Sequence, residues 1–245
     1  MKPCMIYNRD ISPNSVDESG HIFMLSEQII ANLKQQANAQ NVEGMARFGI
    51  RPAQVLGISM PTLRKMAKEI GRDQALALEL WDSGIHEARI LASMIGEPRL
   101  VTPQQMDAWV NDFDAWDVCD QVCGNLFDKT PYAYQKAVEW CQQEKEFVRR
   151  AGFAMMAELA VHDKKARDEA FLQFFPLIKH YADDERNFVK KAVNWALRQI
   201  GKRNSHLRTL ALECANDIQN MDSKTAQWVA KDAIKELQAK EIKDS

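Results

Sequence analysis

Trp116 and Asp120 stand four residues apart in the segment spanning residues 113–123. On a helix that spacing makes them neighbours, an aromatic face beside a carboxylate, a pairing able to recognise or stabilise a cation. Val118, Cys119, Val122 and Leu126 form the buried stripe of this helix, and Trp116, Asp120, Cys123 and Phe127 line the stripe beside it. A purely architectural reading also fits: Asp114 or Asp117 caps the helix, Trp116 packs into the next repeat and Asp120 pairs with an arginine. Cys119 and Cys123 lack a second Cys/His pair at a supporting spacing, so they read as small core residues and no metal site is expected.

A second concentration begins at Phe188. Val189, Ala192, Val193, Ala196 and Ile200 share one stripe of a helix, the core face, while Lys191, Trp195, Arg198 and Lys202 fall on the opposite one. Packing alone does not place a tryptophan among cations. Either Trp195 lies flat on a neighbouring helix under a basic side chain, or it belongs to a binding surface. In the helix beginning at Phe147, Val148, Ala151, Gly152, Met155 and Leu159 make the core stripe, which leaves Arg150, Ala154 and Ala157 on the other side, the small alanines leaving room for a large ligand backbone to approach. Arg150 thus takes the place that Lys191 takes in the later helix. One basic position repeated along a stack of helices draws a line of charge, the footprint expected of a phosphate backbone.

Phosphate-loop, dinucleotide, nucleophile-elbow and zincin motifs are all missing, and the five histidines are scattered, with His162 and His180 reading as surface residues. Net charge is −2, so no global positive field marks a nucleic-acid protein and any such function has to be local. The five cysteines, an odd number within helical patterns, form no disulfide framework and point to a reducing cytosol. No apolar stretch approaches the roughly 20 residues of a membrane span, and the opening residues lack the apolar core of a secretory signal.

The elements that must hold these residues are helices. The 245 residues contain only 10 Gly and 8 Pro, which disfavours turn-dense sandwiches and barrels. Ser59-Met60-Pro61 opens a helix over 62–70 that Gly71 closes, Gly84 and Pro98 bracket another over 86–95, and Thr102-Pro103 opens the next. Phe147-Val148-Arg149-Arg150, Phe188-Val189-Lys190-Lys191 and Trp228-Val229-Ala230-Lys231 start 41 and then 40 residues apart, the period of HEAT and armadillo helix pairs, with a weaker echo at residues 86–91. The predicted fold is therefore all-α, a curved solenoid of antiparallel helix pairs with one concave groove. Residues 1–24 read as a loose extension, 25–240 as the repeat domain and 241–245 as a tail.

Trp116-Asp117-x-x-Asp120, Val148-Arg149-Arg150-Ala151 and Phe188-Val189-Lys190-Lys191-Ala192-x-x-Trp195-x-Leu197-Arg198 together resemble the AlkD-type DNA alkylation repair glycosylases over about residues 25 to 240. The resemblance implies HEAT-like repeats that hydrolyse the N-glycosidic bond of positively charged N3- and N7-alkylated purines in duplex DNA, without metal or cofactor and without fully flipping the lesion. It implies Asp120 as the catalytic carboxylate, Trp116 and Trp195 as the aromatic pair against the deoxyribose, and Arg150 as a cleft residue holding the DNA backbone. Lys191, Arg198, Lys202 and Arg203 join Arg150 as the expected DNA-binding residues. A cytoplasmic monomer, on the nucleoid when it acts, is the expected context. Two other readings stay open: a non-catalytic binder of branched or distorted DNA, which the superfamily also contains, and a helical-repeat protein-interaction scaffold.

Overall fold

The computed structural model describes residues 25–239, so the expected extension at 1–24 and the tail at 241–245 lie outside the described residues. In chain order the helices are α1 (Ser26–Gln35), α2 (Ala39–Arg47), α3 (Met60–Ile70), α4 (Gln74–Asp82), α5 (His86–Ile95), α6 (Pro103–Asn111) and α7 (Trp116–Asn125). A 3₁₀ turn at Phe127–Lys129 leads into α8 (Ala133–Cys141), α9 (Glu146–His162), α10 (Glu169–Leu172), α11 (Phe174–His180), α12 (Asn187–Gly201), α13 (Ser205–Gln219) and α14 (Lys224–Ala239). The described residues contain no strand. None of their helices is long and apolar enough to cross a membrane.

The boundaries follow from local chemistry. Ser59 and Thr102 accept hydrogen bonds from the backbone N–H of Thr62 and Gln105 at 3.4 and 3.1 Å, and each precedes a proline in the first turn, where no N–H is needed. Gly71 ends α3 with φ +77°, a conformation that favours glycine. α7 departs from the expected capping: Ala115 is its N-cap, with no side-chain cap bond, and Asp117 in its first turn instead faces the buried His86, Nε2 to Oδ2 at 2.9 Å.

α3, α5, α7, α9, α12 and α14 pack one against the next to form an inner layer, while α4, α8 and α13 back α5, α9 and α14 from outside. This is the expected all-α solenoid. The repeat segments sit in α5, α9, α12 and α14, all within the inner layer, and Phe147 and Phe188 touch across it with ring centroids 5.5 Å apart. Trp228 departs from the register. Ser223 starts α14 about one turn earlier by accepting the Ala226 N–H, so Trp228 falls in the second turn and is 42% exposed.

Three of the six tryptophans serve the core between the layers. Trp81 and Trp109 stack 4.0 Å apart and nearly parallel, and the line continues through Phe127 to Trp140. Trp81 and Trp140 satisfy their indole N–H groups on Asp112 and Asp107, each at 2.9 Å. Trp116 and Trp195 stay on the inner layer, partly exposed.

α9 corrects the reading made from its stripes. It is wedged between α7, α8 and α12, so Ala154 and Ala157 are fully buried and Arg150 is only 5% exposed. The small residues admit neighbouring helices rather than a ligand. Gly152 lies so close to α8 that a Cβ there would stand 2.3 Å from the Cys141 backbone nitrogen.

Candidate active site

α7, α9 and α12 bring Trp116, Asp120, Arg150 and Phe188 to one place on the inner layer. Arg150 donates from Nε to Asp120 Oδ1 at 3.0 Å and from Nη2 to Oδ2 at 2.7 Å, a two-point pairing, while its Nη1 donates to the Phe188 carbonyl at 2.6 Å. The guanidinium carbon stands 5.9 Å from the centre of the Trp116 ring. The indole N–H of Trp116 reaches out of the layer to the carbonyl of Phe48 at 3.0 Å, so the α2–α3 connection is tied to the site. A cleft of about 200 Å³ lies between Phe48, Trp116, Arg150, Phe188 and Lys191.

Burial pushes the Asp120 carboxyl up from the ordinary carboxylate range, the Arg150 guanidinium pulls it down by charge and hydrogen bonding, and Asp117 adds a further upward push. Both Asp120 oxygens accept N–H from a cation that does not deprotonate, which keeps the group a carboxylate in the pair. Two of its roughly four lone-pair directions stay open, and its side chain keeps 15% of its surface exposed. The arrangement is a fixed, poorly solvated negative charge beside an electron-rich ring. Such a group stabilises positive charge that develops within reach, without reorganising to do so.

The connection carrying Phe48 is rigidly held. Buried Glu87 of α5 accepts the backbone N–H groups of Leu56, Gly57 and Ile58 at 2.9, 2.6 and 3.3 Å. Gly49 has φ +80° and lies against Phe188, where a Cβ would stand 2.7 Å from the ring. Sequence reading missed Phe48 and the lining role of Phe188. Phe48 sits in an irregular connection with no period to expose it, and its neighbour Gly49 was the sole local signal of a special backbone.

The expected cations fare differently. Lys191 is exposed at the cleft. Arg150 is buried in its ion pair. Arg198 and Lys202 both pair with Glu236 of α14, and Arg198 also lies 3.7 Å from Asp232. Arg203 donates to the carbonyls of Ala160 and Ala166 at 2.7 and 3.1 Å and covers the Phe171 ring at 4.2 Å, the geometry of a staple between repeats. Trp195 lies one turn past Lys191 on the same face of α12, half-buried against the core. The cleft lining therefore joins Lys191, but not Trp195, to Trp116 and Arg150.

Cys119 and Cys123 are buried thiols. Among the described residues, Asp128, Glu158 and His162 form the one group whose three potential ligand atoms all lie within 4.8 Å of one another. His162 Nδ1 is 2.5 Å from Asp128 Oδ2, and Lys129 Nζ stands 3.0 Å from Asp128 Oδ1, so an imidazole nitrogen and an ammonium already face this carboxylate.

Among curated proteins, no sequence matches this chain. A solved structure from a family of proteins related to the HEAT-like repeat DNA glycosylases, with affinity for branched DNA structures, superimposes with a TM-score of 0.71 at 19% identity, over 85% of this chain and 93% of that one. A designed armadillo repeat protein aligns at a TM-score of 0.42 and 14% identity, over 91% of this chain and 96% of that one. The family model for DNA alkylation repair enzymes matches residues 29–237, which span the described helices almost completely. The chain belongs to the DNA alkylation repair enzyme family.

Proposed function

We propose that the protein is a DNA glycosylase that releases positively charged N3- and N7-alkylated purines from duplex DNA. The observation that carries the reading is the Asp120 carboxylate, fixed by two hydrogen bonds from Arg150 beside the face of Trp116. An alkylated purine already bears the charge that makes it a good leaving group, so the reaction needs no strong acid. The C1′–N bond breaks with its electron pair passing to the purine, which leaves neutral. Positive charge moves to the deoxyribose, where Asp120 and the Trp116 ring stabilise it. Water then adds to C1′ and gives up a proton, leaving an abasic site. Trp195 acts further along the same face, and Lys191 neutralises a phosphate beside the cleft. Arg150 serves by holding Asp120. Arg198 and Lys202 contribute to the groove's field through charges already shared with Glu236, while Arg203 holds the Ala160 and Ala166 carbonyls between repeats.

The test is incubation with duplexes carrying N7-methylguanine or 3-methyladenine. Release of free base from both supports the reading, and binding without release contradicts it.

Two observations favour a second reading, a non-catalytic binder of branched DNA. The structurally similar protein belongs to a group with that affinity, and both Asp120 oxygens are engaged by Arg150. This reading expects tight binding to a four-way junction and no base release from either duplex.

A further inference from the structure

The connection between α2 and α3 presents a feature that the glycosylase chemistry does not use. Phe48 projects into solvent with 72% of its surface exposed, the most exposed of the large hydrophobic side chains in the described residues. Its backbone is nonetheless held hard, by the Trp116 indole on its own carbonyl and by Gly49 against Phe188. A mobile loop tip does not need such anchoring. The ring also separates two recesses: the cleft at Arg150, and an apolar one of about 550 Å³ lined by Met45, Phe48, Ile50, Ile58 and Trp116.

Charge says what fits there. Exposed Arg47 and Arg51 flank Phe48, and exposed Arg64, Lys65 and Lys68 follow on α3. Residues 25–72 carry seven Lys or Arg against three Asp or Glu, in a chain whose net charge is −2. A rigid exposed aromatic between cations, opening on an apolar recess, matches a nucleic-acid strand, with phosphates on the cations and a base on the ring. An acidic protein segment would answer the cations but brings no planar base for the exposed ring.

We infer that Phe48 is a base-stacking residue that receives a nucleobase unstacked from the distorted duplex, while Arg47 and Arg51 hold the phosphates on either side. This gives the DNA a second point of attachment, on a segment N-terminal to Trp116 whose Phe48 shares the Arg150 cleft with Lys191. The inference rests on the glycosylase reading only in that both place DNA on this face.

The experiment compares wild-type protein, Phe48→Ala and Phe48→Tyr on two duplexes of one sequence. One is fully paired, and the other holds a tetrahydrofuran abasic analogue opposite an adenine that is free to unstack. Phe48→Ala is expected to weaken binding to the second duplex by about fivefold or more relative to the first, in line with the loss of one stacked base. Phe48→Tyr restores it. Since the side chain is exposed, thermal unfolding of all three proteins is expected to coincide, which separates lost stacking from lost fold. Equal weakening on both duplexes, or none on either, overturns the inference. Base release is measured separately on N7-methylguanine DNA, so an inactive protein with a Phe48-dependent preference sinks the glycosylase reading and leaves this one standing.

Discussion

Arg150 grips both oxygens of Asp120 at 2.7 and 3.0 Å while its third nitrogen holds the first turn of α12 at the Phe188 carbonyl. One guanidinium thereby sets the position of a carboxylate on α7 and joins three consecutive helices of the inner layer. Burying an ion pair contributes little by itself, since desolvation offsets much of the attraction, but breaking one from a single side leaves an uncompensated buried charge.

Replacing Arg150 tests that coupling. Arg150→Ala is expected to lose about 3–5 kcal/mol of folding stability. Arg150→Lys keeps the charge but has no planar fork, so it is expected to stay folded while losing much of the base-release rate. Urea unfolding together with single-turnover base release checks both. A lysine variant with wild-type activity would show that the two-point geometry is not needed.

Two cations of the expected DNA-binding set separate in their effects. Lys191→Glu is expected to weaken binding to any duplex sequence and to lower the slope of log affinity against log salt by roughly one or more. Arg203→Ala is expected to cost about 1–3 kcal/mol of stability, because it strands the Ala160 and Ala166 carbonyls, and to leave affinity near wild type. Salt-titrated anisotropy with thermal melts distinguishes the two. The reverse pattern would mean that Arg203 faces phosphate and Lys191 does not.

The stability of the protein is expected to depend on pH through Glu158. Burial foremost pushes its carboxyl from 4.5 to about 7, with the charges of Asp128 and Asp120 adding to the rise while His162 and Lys129 oppose it. The folded state therefore holds a proton that the unfolded state has released, so this contribution is present below about pH 4.5 and is lost as pH rises through about 7. Melting temperatures of wild type and Glu158→Gln, compared from pH 4.5 to 8, are expected to diverge in favour of the glutamine variant as pH rises. A constant difference across that range would place the Glu158 carboxyl at its ordinary value.

The two tryptophans near the site are expected to contribute unequally. Trp116→Ala removes an aromatic wall and releases the Phe48 carbonyl, and is expected to slow base release by an amount equivalent to about 1–2 kcal/mol. Trp195→Ala, further from the cleft, is expected to act less. Single-turnover rates at saturating enzyme give the ranking, and a larger effect at Trp195 would move the lesion along α12.

What the sequence revealed, it revealed through local rules. Ser59 and Pro61, Gly71, and Thr102 with Pro103 mark helix ends because capping is decided within a few residues. The Trp116–Asp120 stripe and the inner-layer repeat follow from helical geometry in the same way. What stayed hidden depends on residues far away in the chain. Arg150 reads as a polar-face residue until α7 and α12 close over α9 from either side. The charges of Arg198 and Lys202 look free until α14 supplies Glu236, 38 and 34 residues later. The fixing of Phe48 needs Trp116, 68 residues on.

The most direct measurement is base release by Asp120→Asn from duplex DNA containing N7-methylguanine, on protein whose circular dichroism shows it folded, with affinity measured in parallel. Asparagine keeps the shape and deletes the charge, so a loss of about 10²–10³ in rate is expected, with duplex affinity retained or slightly raised because an anion has left the groove. Wild type is also expected to leave uracil in place, since departure of a neutral base calls for an acid and Asp120 is held as a carboxylate. Wild-type release of N7-methylguanine by Asp120→Asn, or efficient release of uracil, would contradict this mechanism.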